Sequence, residues 1–444
     1  MKHSLTSLFL LWLLAGCGSP AVAAPGAHLQ VSSLELVSGE GEAQLLERTD
    51  TALRDLISRT LREHPQLQAT FHEFRATLQE AEVVGRRPDP QLTFGIFIDA
   101  VETRVGPQES RIGLSQMFPR PAKLRLRKRQ ALERAEALWE KLFALRWRLI
   151  HDLRKLWLER GYFLQAAAIT RENIGLIERL LEIVETRFAV GETAQEDLLR
   201  LQMDRARLEE RLRDLQDQAR AHETRLALLA RMPPGSPVPV PGKPDRTSIE
   251  LDPQVIAGLV RQGNFELRAL GDQVEAAEHG VRLSRQDGYP DLTVGLERIQ
   301  TDESPMNVRG NGKDPLILAL SMNLPVDRRR LRAATDRAQE TRSARVSDRE
   351  AREIEILAQL ETALYQLREA RRKIDLYRSS LIPRADQTYE VVKNAYTTGA
   401  ASFLDVTQIL QQRLEFRITL QRAIVDHELA LSEIEMLAGR SLRP

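Results

Sequence analysis

Pro88-Asp89-Pro90-Gln91-Leu92-Thr93-Phe94-Gly95-Ile96-Phe97-Ile98 is the stretch on which the fold turns. The prolines stop a helix, and from Gln91 onward the residues alternate with a β-branched and aromatic bias, the pattern of a strand of about ten residues. Leu67, Leu92, Thr93 and Gly95 then recur as Leu267, Leu292, Thr293 and Gly295, each 200 residues later. Leu114, Ser115 and Pro119 return as Leu320, Ser321 and Pro325 at a displacement of 206, and Phe188, Gly191 and Asp197 as Tyr396, Gly399 and Asp405 at 208. Small insertions account for the drift, so two halves share one order of elements. A mostly helical unit with two strands inside it, duplicated within one chain, is uncommon among soluble enzymes.

Each half reads alike. The first opens with a helix over 47–86, where Leu53, Leu56, Ile57, Leu61, Leu67, Phe71, Phe74 and Leu78 keep a three-to-four spacing and His64-Pro65 is expected to bend it. Strands at 91–99 and 110–118 follow, joined by a polar loop through Gly106-Pro107, then a long helix over 122–189 and an antiparallel helix over 194–231. The second half, 251–438, has its helix, strands at 291–299 and 316–324, a long helix over 327–396 broken only at Pro383, and a helix over 402–438. A Pro-rich connector, 232–250, separates the halves, and 439–444 is a tail. Runs of roughly 70 residues would form helices about 100 Å long, which indicates a coiled coil or a helical tube. The seam reads Ile177, Leu181, Val184 and Phe188, matched by Ala385, Tyr389, Val392 and Tyr396.

Charged residues make up 29% of the 444 and the formal net charge is +1, so no bulk bias points to nucleic acid. Eight histidines and one cysteine leave little material for a metal cluster and none for a disulfide within one chain, and no cofactor is expected. That cysteine has a telling place. Lys2 and His3 precede an apolar run, Leu8 to Leu14, too short to span a bilayer as a helix, and Leu14-Ala15-Gly16-Cys17 follows. The arrangement resembles the lipobox of bacterial lipoproteins. It implies a signal peptide over 1–16, a lipid anchor on Cys17 and a tether over 17–46, with Gly18 in the next position resembling an outer-membrane destination. A plain secretory cut after Ala21-Val22-Ala23 is the other reading, and both export the chain.

Strands of about ten residues suffice to cross a thin bilayer when tilted. Four cannot close a barrel, an open edge is intolerable in lipid, and the smallest outer-membrane barrels have eight strands. Transmembrane strands would therefore have to be pooled by several chains, and three chains would supply twelve. The alternative is a soluble mixed domain with two hairpins set into coiled coils.

Pro88-Asp89-Pro90 and Pro290-Asp291 before strands, Phe188–Gly191 and Tyr396–Gly399 at hairpins, and Asp197 and Asp405 six residues after the glycines all occur in duplicate and in order. On these marks the chain resembles the TolC-like outer-membrane efflux family from residue 47 to its end. The resemblance implies a mainly α fold with transmembrane β: a trimeric β-barrel to which each chain gives four strands, continued by a long α-helical periplasmic tunnel built from two internal repeats. It implies an outer-membrane channel of a tripartite efflux pump, without enzymatic chemistry, in partnership with a periplasmic adaptor protein and an inner-membrane transporter. Gly106 to Glu109, followed by Gly113-Leu114-Ser115-Gln116, resembles the branch serving heavy-metal efflux pumps. The competing assignment is a periplasmic coiled-coil adaptor or scaffold lipoprotein with no pore.

Under this resemblance Gly191, Gly399, Phe188 and Tyr396 mark hairpin tips that meet the adaptor. Asp405 would contribute, three copies around an axis, to a negative ring at the periplasmic gate, with Asp197 its counterpart in the first repeat. Gln408 stands where the family's gate carries a second aspartate, which weakens the ring. The basic clusters at Lys123, Arg125 and Arg127 and at Arg328, Arg329 and Arg330 open the long helices against the helix dipole, so the lipid headgroup layer is their expected contact.

Overall fold

The computed structural model describes residues 40–233, 235–242, 251–306 and 308–443. The expected signal peptide, Cys17 and most of the tether lie outside the described residues, as does 243–250 of the connector.

The last part of the expected tether is helical: α1 spans Glu40–Glu47. Glu42 holds it in place through a buried pair with Arg146, whose Nη2 and Nε donate at 2.6 and 2.9 Å. The helix expected over 47–86 is two, α2 (Thr51–Glu63) and α3 (Pro65–Val84). Asp50 caps α2 by accepting from the Ala52 amide, and Pro65 starts α3 where its missing N–H costs nothing. His64, held extended before the proline, makes the break.

Strands β1 (Gln91–Thr103) and β2 (Gly106–Phe118) form the first hairpin, and helix α4 runs unbroken over Pro121–Ala189. With 69 residues α4 reaches about 100 Å. Helix α5, Gln195–Leu229, returns beside it. The second half repeats the order with α6 (Pro253–Gly263), α7 (Phe265–Gln286), β3 (Leu292–Thr301), β4 (Leu316–Met322) and α8 (Arg328–Leu376), and then α9 (Ile382–Thr397) and α10 (Phe403–Ala438). Asn264 divides α6 from α7 and caps the latter by accepting from the Leu267 amide at 3.0 Å.

Pro383 does not break the second long helix. A π turn over Tyr377–Leu381 carries the chain from α8 into α9, with the Ile382 amide donating to the Tyr377 carbonyl. The wider turn accommodates a ring that cannot donate in the α pattern.

Apolar seams hold the helices together. Ile256, Val260, Leu267, Ile356, Leu360, Leu364, Leu431 and Ile434 form one cluster between α6, α7, α8 and α10. A second joins both halves near the hairpin ends, where Ile177, Leu181 and Val184 of α4 meet Leu201, Tyr396, Phe403, Val406 and Leu410. Phe188 was expected on this seam, yet it is half exposed. Its neighbour Arg187 is the residue that stacks on Tyr396.

Candidate functional site

The four strands form one antiparallel sheet in the order β1-β2-β3-β4, and among the described residues β1 and β4 have free edges. Residues opposite one another share a face, so the pairing decides which side chains lie together. Leu92, Leu114, Leu296 and Leu318 form a row of four leucines across the sheet, and Phe94, Ile112, Arg298 and Leu316 form the next. Gln116, Val294 and Leu320, then Phe118, Leu292 and Met322, extend the same face. The polar members of these rows are satisfied towards the ends of the strands: Arg298 pairs with Asp314 in the β3–β4 loop at 2.5 Å, and the Gln116 amide donates to the Pro88 carbonyl at 2.8 Å. Beyond them Ser110, opposite Ile96, donates to Gln300 at 3.2 Å.

Polar and small residues predominate on the opposite face, which also carries Met117, Ile299 and Ile317. Gln91 stands opposite Ser115, Thr93 opposite Gly113, Thr293 opposite Ser321 and Gly295 opposite both Ser115 and Ala319. Arg111 lies across Gly95 and faces Glu297, with 3.9 Å between nitrogen and oxygen. A sheet whose one face is apolar, exposed and free of any covering element cannot be stable in water as it stands. The apolar band from Phe118 to Ile112 measures about 20 Å along the strand.

These registers also correct the repeat offset. β2 and β4 are displaced by 206, and for both hairpins to pair alike the counterpart of Leu92 is Val294, not Leu292. The strand offset is thus 202, the same as that of Pro88-Asp89 and Pro290-Asp291, while the preceding breaks at His64 and Asn264 remain 200 apart.

Where sheet passes into helix, the structure corrects one expected site. Lys123 does not face outward; its Nζ is buried and donates to both Asp291 oxygens at 2.9 and 3.0 Å and to the Tyr289 carbonyl at 3.0 Å. The Arg120 amide donates to the same carboxylate at 3.2 Å, and the Arg120 guanidinium stacks on Tyr289. A lysine in the first turn of α4 is thus neutralised by the residue that precedes β3. Arg125, Arg127, Arg328, Arg329 and Arg330 are exposed, and none is ion-paired to a described residue.

At the far end, Gly191 and Gly399 adopt φ of +75° and +79° with open space around them. That conformation suits glycine and lets each long helix reverse. Tyr396, unlike Phe188, is buried; Arg187 stacks on its ring at 5.0 Å and donates to its carbonyl at 2.8 Å. The two hairpins are therefore tied to each other just behind their tips, a coupling that no sequence spacing announced.

Asp405 completes a capping box at the start of α10. Its carboxylate accepts from the Ser402 hydroxyl at 2.6 Å and the Ser402 amide at 3.0 Å, while the Ser402 hydroxyl caps the Asp405 amide. These bonds hold its pKa below the usual carboxylate range. Gln408 is exposed one turn further on the same face. Asp197 accepts from the Thr193 hydroxyl at 2.9 Å. Nearer the sheet, Asp272 of α7 is pushed up to about 7 by burial and then by Glu140, Glu133 and Glu136 of α4, against the pull of Arg268.

No helix among the described residues is long and apolar enough to cross a membrane, and none of their His, Cys, Asp and Glu groups is arranged to hold a metal ion. No curated protein matches this sequence. Among solved structures, the outer-membrane channel OprN is similar with a TM-score of 0.77 and 16% identity, over 96% of this chain and 98% of that one. The outer membrane protein VceC of Vibrio cholerae has a TM-score of 0.74 at 17% identity, over 91% and 100% of the two chains. The open state of the Neisseria gonorrhoeae MtrE outer membrane channel has a TM-score of 0.71 at 15% identity, over 88% and 90%. The fold of these channels runs through nearly the whole chain. Residues 256–436 match the family described as outer membrane efflux protein, and the channels' fold extends that likeness over the first repeat as well.

Proposed function

We propose that three copies of this chain close a twelve-stranded barrel in the outer membrane and continue below it as a helical duct. The observation that carries this reading is the sheet: one face predominantly apolar around its row of four leucines, the other predominantly polar and small, and both edges free among the described residues. Lipid accounts for the first face, a water-filled lumen for the second, and neighbouring copies for the edges. Leu92, Phe94 and Ile96 then face lipid, and Thr93 and Phe97 face inward.

In this account the chain is a passive export duct for substrates handed over by an inner-membrane transporter through a periplasmic adaptor. It performs no chemistry and takes no energy of its own. Gly191 and Gly399 with Phe188 and Tyr396 form the adaptor-facing tips. Asp405, with Gln408 beside it and Asp197 in the other repeat, tunes the charge of the periplasmic mouth. Arg125, Arg127, Arg328, Arg329 and Arg330 reach the headgroup layer, and Cys17 adds a lipid anchor. The Gly106–Glu109 and Gly113–Gln116 sequences favour heavy-metal cations as the cargo.

Membrane fractionation with heat-modifiable migration tests the reading. A channel fractionates with the outer membrane as an SDS-resistant oligomer, whereas a poreless adaptor or scaffold gives neither property. Deletion of the gene tests the cargo: sensitivity to divalent or monovalent metal cations supports metal export, and sensitivity confined to organic drugs overturns it. Replacing Cys17 with Ser abolishes acyl labelling if the lipobox is processed. Persistent labelling, or a mature chain beginning at Ala24, refutes the anchor.

A further inference from the structure

The chain carries a template of the seam between its own copies. Within one chain, β2 of the first repeat pairs with β3 of the second, and the sequence after β2 clamps the residue before β3: Lys123 to Asp291 at 2.9 Å. Both halves of that junction have counterparts at the free edges. β4 and α8 repeat β2 and α4, and Asp89 and β1 repeat Asp291 and β3.

We infer that β4 of one copy pairs antiparallel with β1 of the next in the register of β2 with β3, and that Asp89 receives the Arg329–Arg330 pair of the neighbouring copy. This rests on the barrel reading above and adds to it the register and the charge clamp of the seam. With offsets of 206 and 202, Ser115 opposite Gly295 becomes Ser321 opposite Thr93, and Leu114 opposite Leu296 becomes Leu320 opposite Phe94. Leu318 then meets Ile96, Leu316 meets Ile98 and Met322 meets Leu92.

Two independent checks support the assignment. Leu320 with Phe94, Leu318 with Ile96 and Met322 with Leu92 bring apolar-face residues together, while Ser321 with Thr93 joins two polar-face residues, although the offsets were set by pairings inside the chain; a shift of one residue would turn every one to the wrong side. The charges also match. Asp89 is exposed and ion-paired to no described residue, and the same holds for Arg329 and Arg330, while their counterparts Asp291 and Lys123 are joined. Arg329 is the equivalent of Lys123 in the strand frame, and Arg330 in the frame of the helix cap. Either guanidinium supplies the cation.

Disulfide trapping in the full-length chain tests the register. A Cβ placed on Gly295 would lie 3.5 Å from the Ser115 Cβ, within disulfide reach, so the equivalent Thr93 and Ser321 should bridge when both are cysteine. Oxidation of the Thr93→Cys, Ser321→Cys variant in outer membranes should give covalent dimers and trimers on non-reducing gels. The pairs Gly95→Cys with Ser321→Cys and Gln91→Cys with Ser321→Cys, which report a two-residue shift either way, should give little, as should the parent chain with Cys17 alone. Asp89→Arg should lower the temperature at which the SDS-resistant oligomer dissociates, and adding Arg329→Asp and Arg330→Asp should restore it. Bridging in a shifted pair, no bridging in an intact membrane oligomer, or an unmoved dissociation temperature for Asp89→Arg overturns the seam while leaving the channel. A chain that never enters the membrane and never oligomerises contradicts the channel reading itself.

Discussion

Leu114 and Ser115 are neighbours on β2 with opposite duties, so one substitution placed at each in turn isolates the face of the sheet. Leu114 stands in the middle of the apolar face between Leu92 and Leu296, and Ser115 on the polar face between Gln91 and Gly295. An arginine at Leu114 would project into hydrocarbon near the middle of the band, at a cost of about 2–4 kcal/mol for each copy. That corresponds to a roughly 30- to 700-fold loss in the insertion equilibrium. An arginine at Ser115 enters the lumen, where Gly295 leaves room opposite it and Glu297 offers a counter-charge nearby, so its cost should stay below about 1 kcal/mol. Urea titration of folding into lipid vesicles measures both. Leu114→Arg should shift the midpoint strongly and deplete the outer-membrane oligomer in cells; Ser115→Arg should do neither. Equal effects would show that the sheet does not separate lipid from water, and a larger effect at Ser115 would reverse the assignment of faces.

Asp405→Ala should lower the cation preference of the channel in asymmetric salt, less so at high ionic strength, and Asp197→Ala should do less. The same carboxylate is held below its unperturbed value of 3.8 by Ser402, so its capping contribution is present above that pH and is lost as pH falls through the folded value. Wild type and Asp405→Ala should therefore converge in stability in acid, and unchanged selectivity would reduce Asp405 to a helix cap. Asp272 has the opposite sign. With its folded pKa raised to about 7, its charge destabilises the helices increasingly above pH 3.8 and fully above 7, so Asp272→Asn should stabilise by on the order of 1 kcal/mol at pH 8, after screening, and by nothing near pH 3. Thermal melts of the detergent-solubilised oligomer at the two pH values check this. Gly399→Ala meets no neighbour within 4 Å, so its cost is the left-handed backbone alone, about 1 kcal/mol, read as a weaker hairpin tip in hydrogen exchange or adaptor crosslinking.

The repeats, the strands and the long helices were legible because their signals are local: alternation from Gln91 onward, apolar residues at helical spacing and Gly or Pro at each reversal. What was hidden depends on pairing between distant residues. Which face of β1 is apolar follows from Leu92 standing opposite Leu114, and the true strand offset follows from comparing that register with Val294 opposite Leu320. Lys123 read as one more basic residue in a cluster, since its partner Asp291 is remote in sequence and adjacent only after β2 has paired with β3. Its place right after the strand, with Pro290-Asp291 before the strand that joins it, was the available signal. Similarly, Glu42 gave α1 no pattern of its own until Arg146 supplied a buried partner. Pro383 looked like a breaker because a proline removes one amide bond, yet the packing of the flanking helices sustains a π turn around it.

Copies of this four-stranded sheet that join as a barrel must enclose a water-filled pore. Single-channel current recording on the purified oligomer in a planar lipid bilayer tests it most directly. Discrete, long-lived conductance steps that scale with salt concentration are expected, and preparations of Leu114→Arg should fail to produce them. Oligomer that inserts into the bilayer yet leaves it electrically silent at every voltage and salt concentration, and under conditions that open the periplasmic mouth, would contradict it.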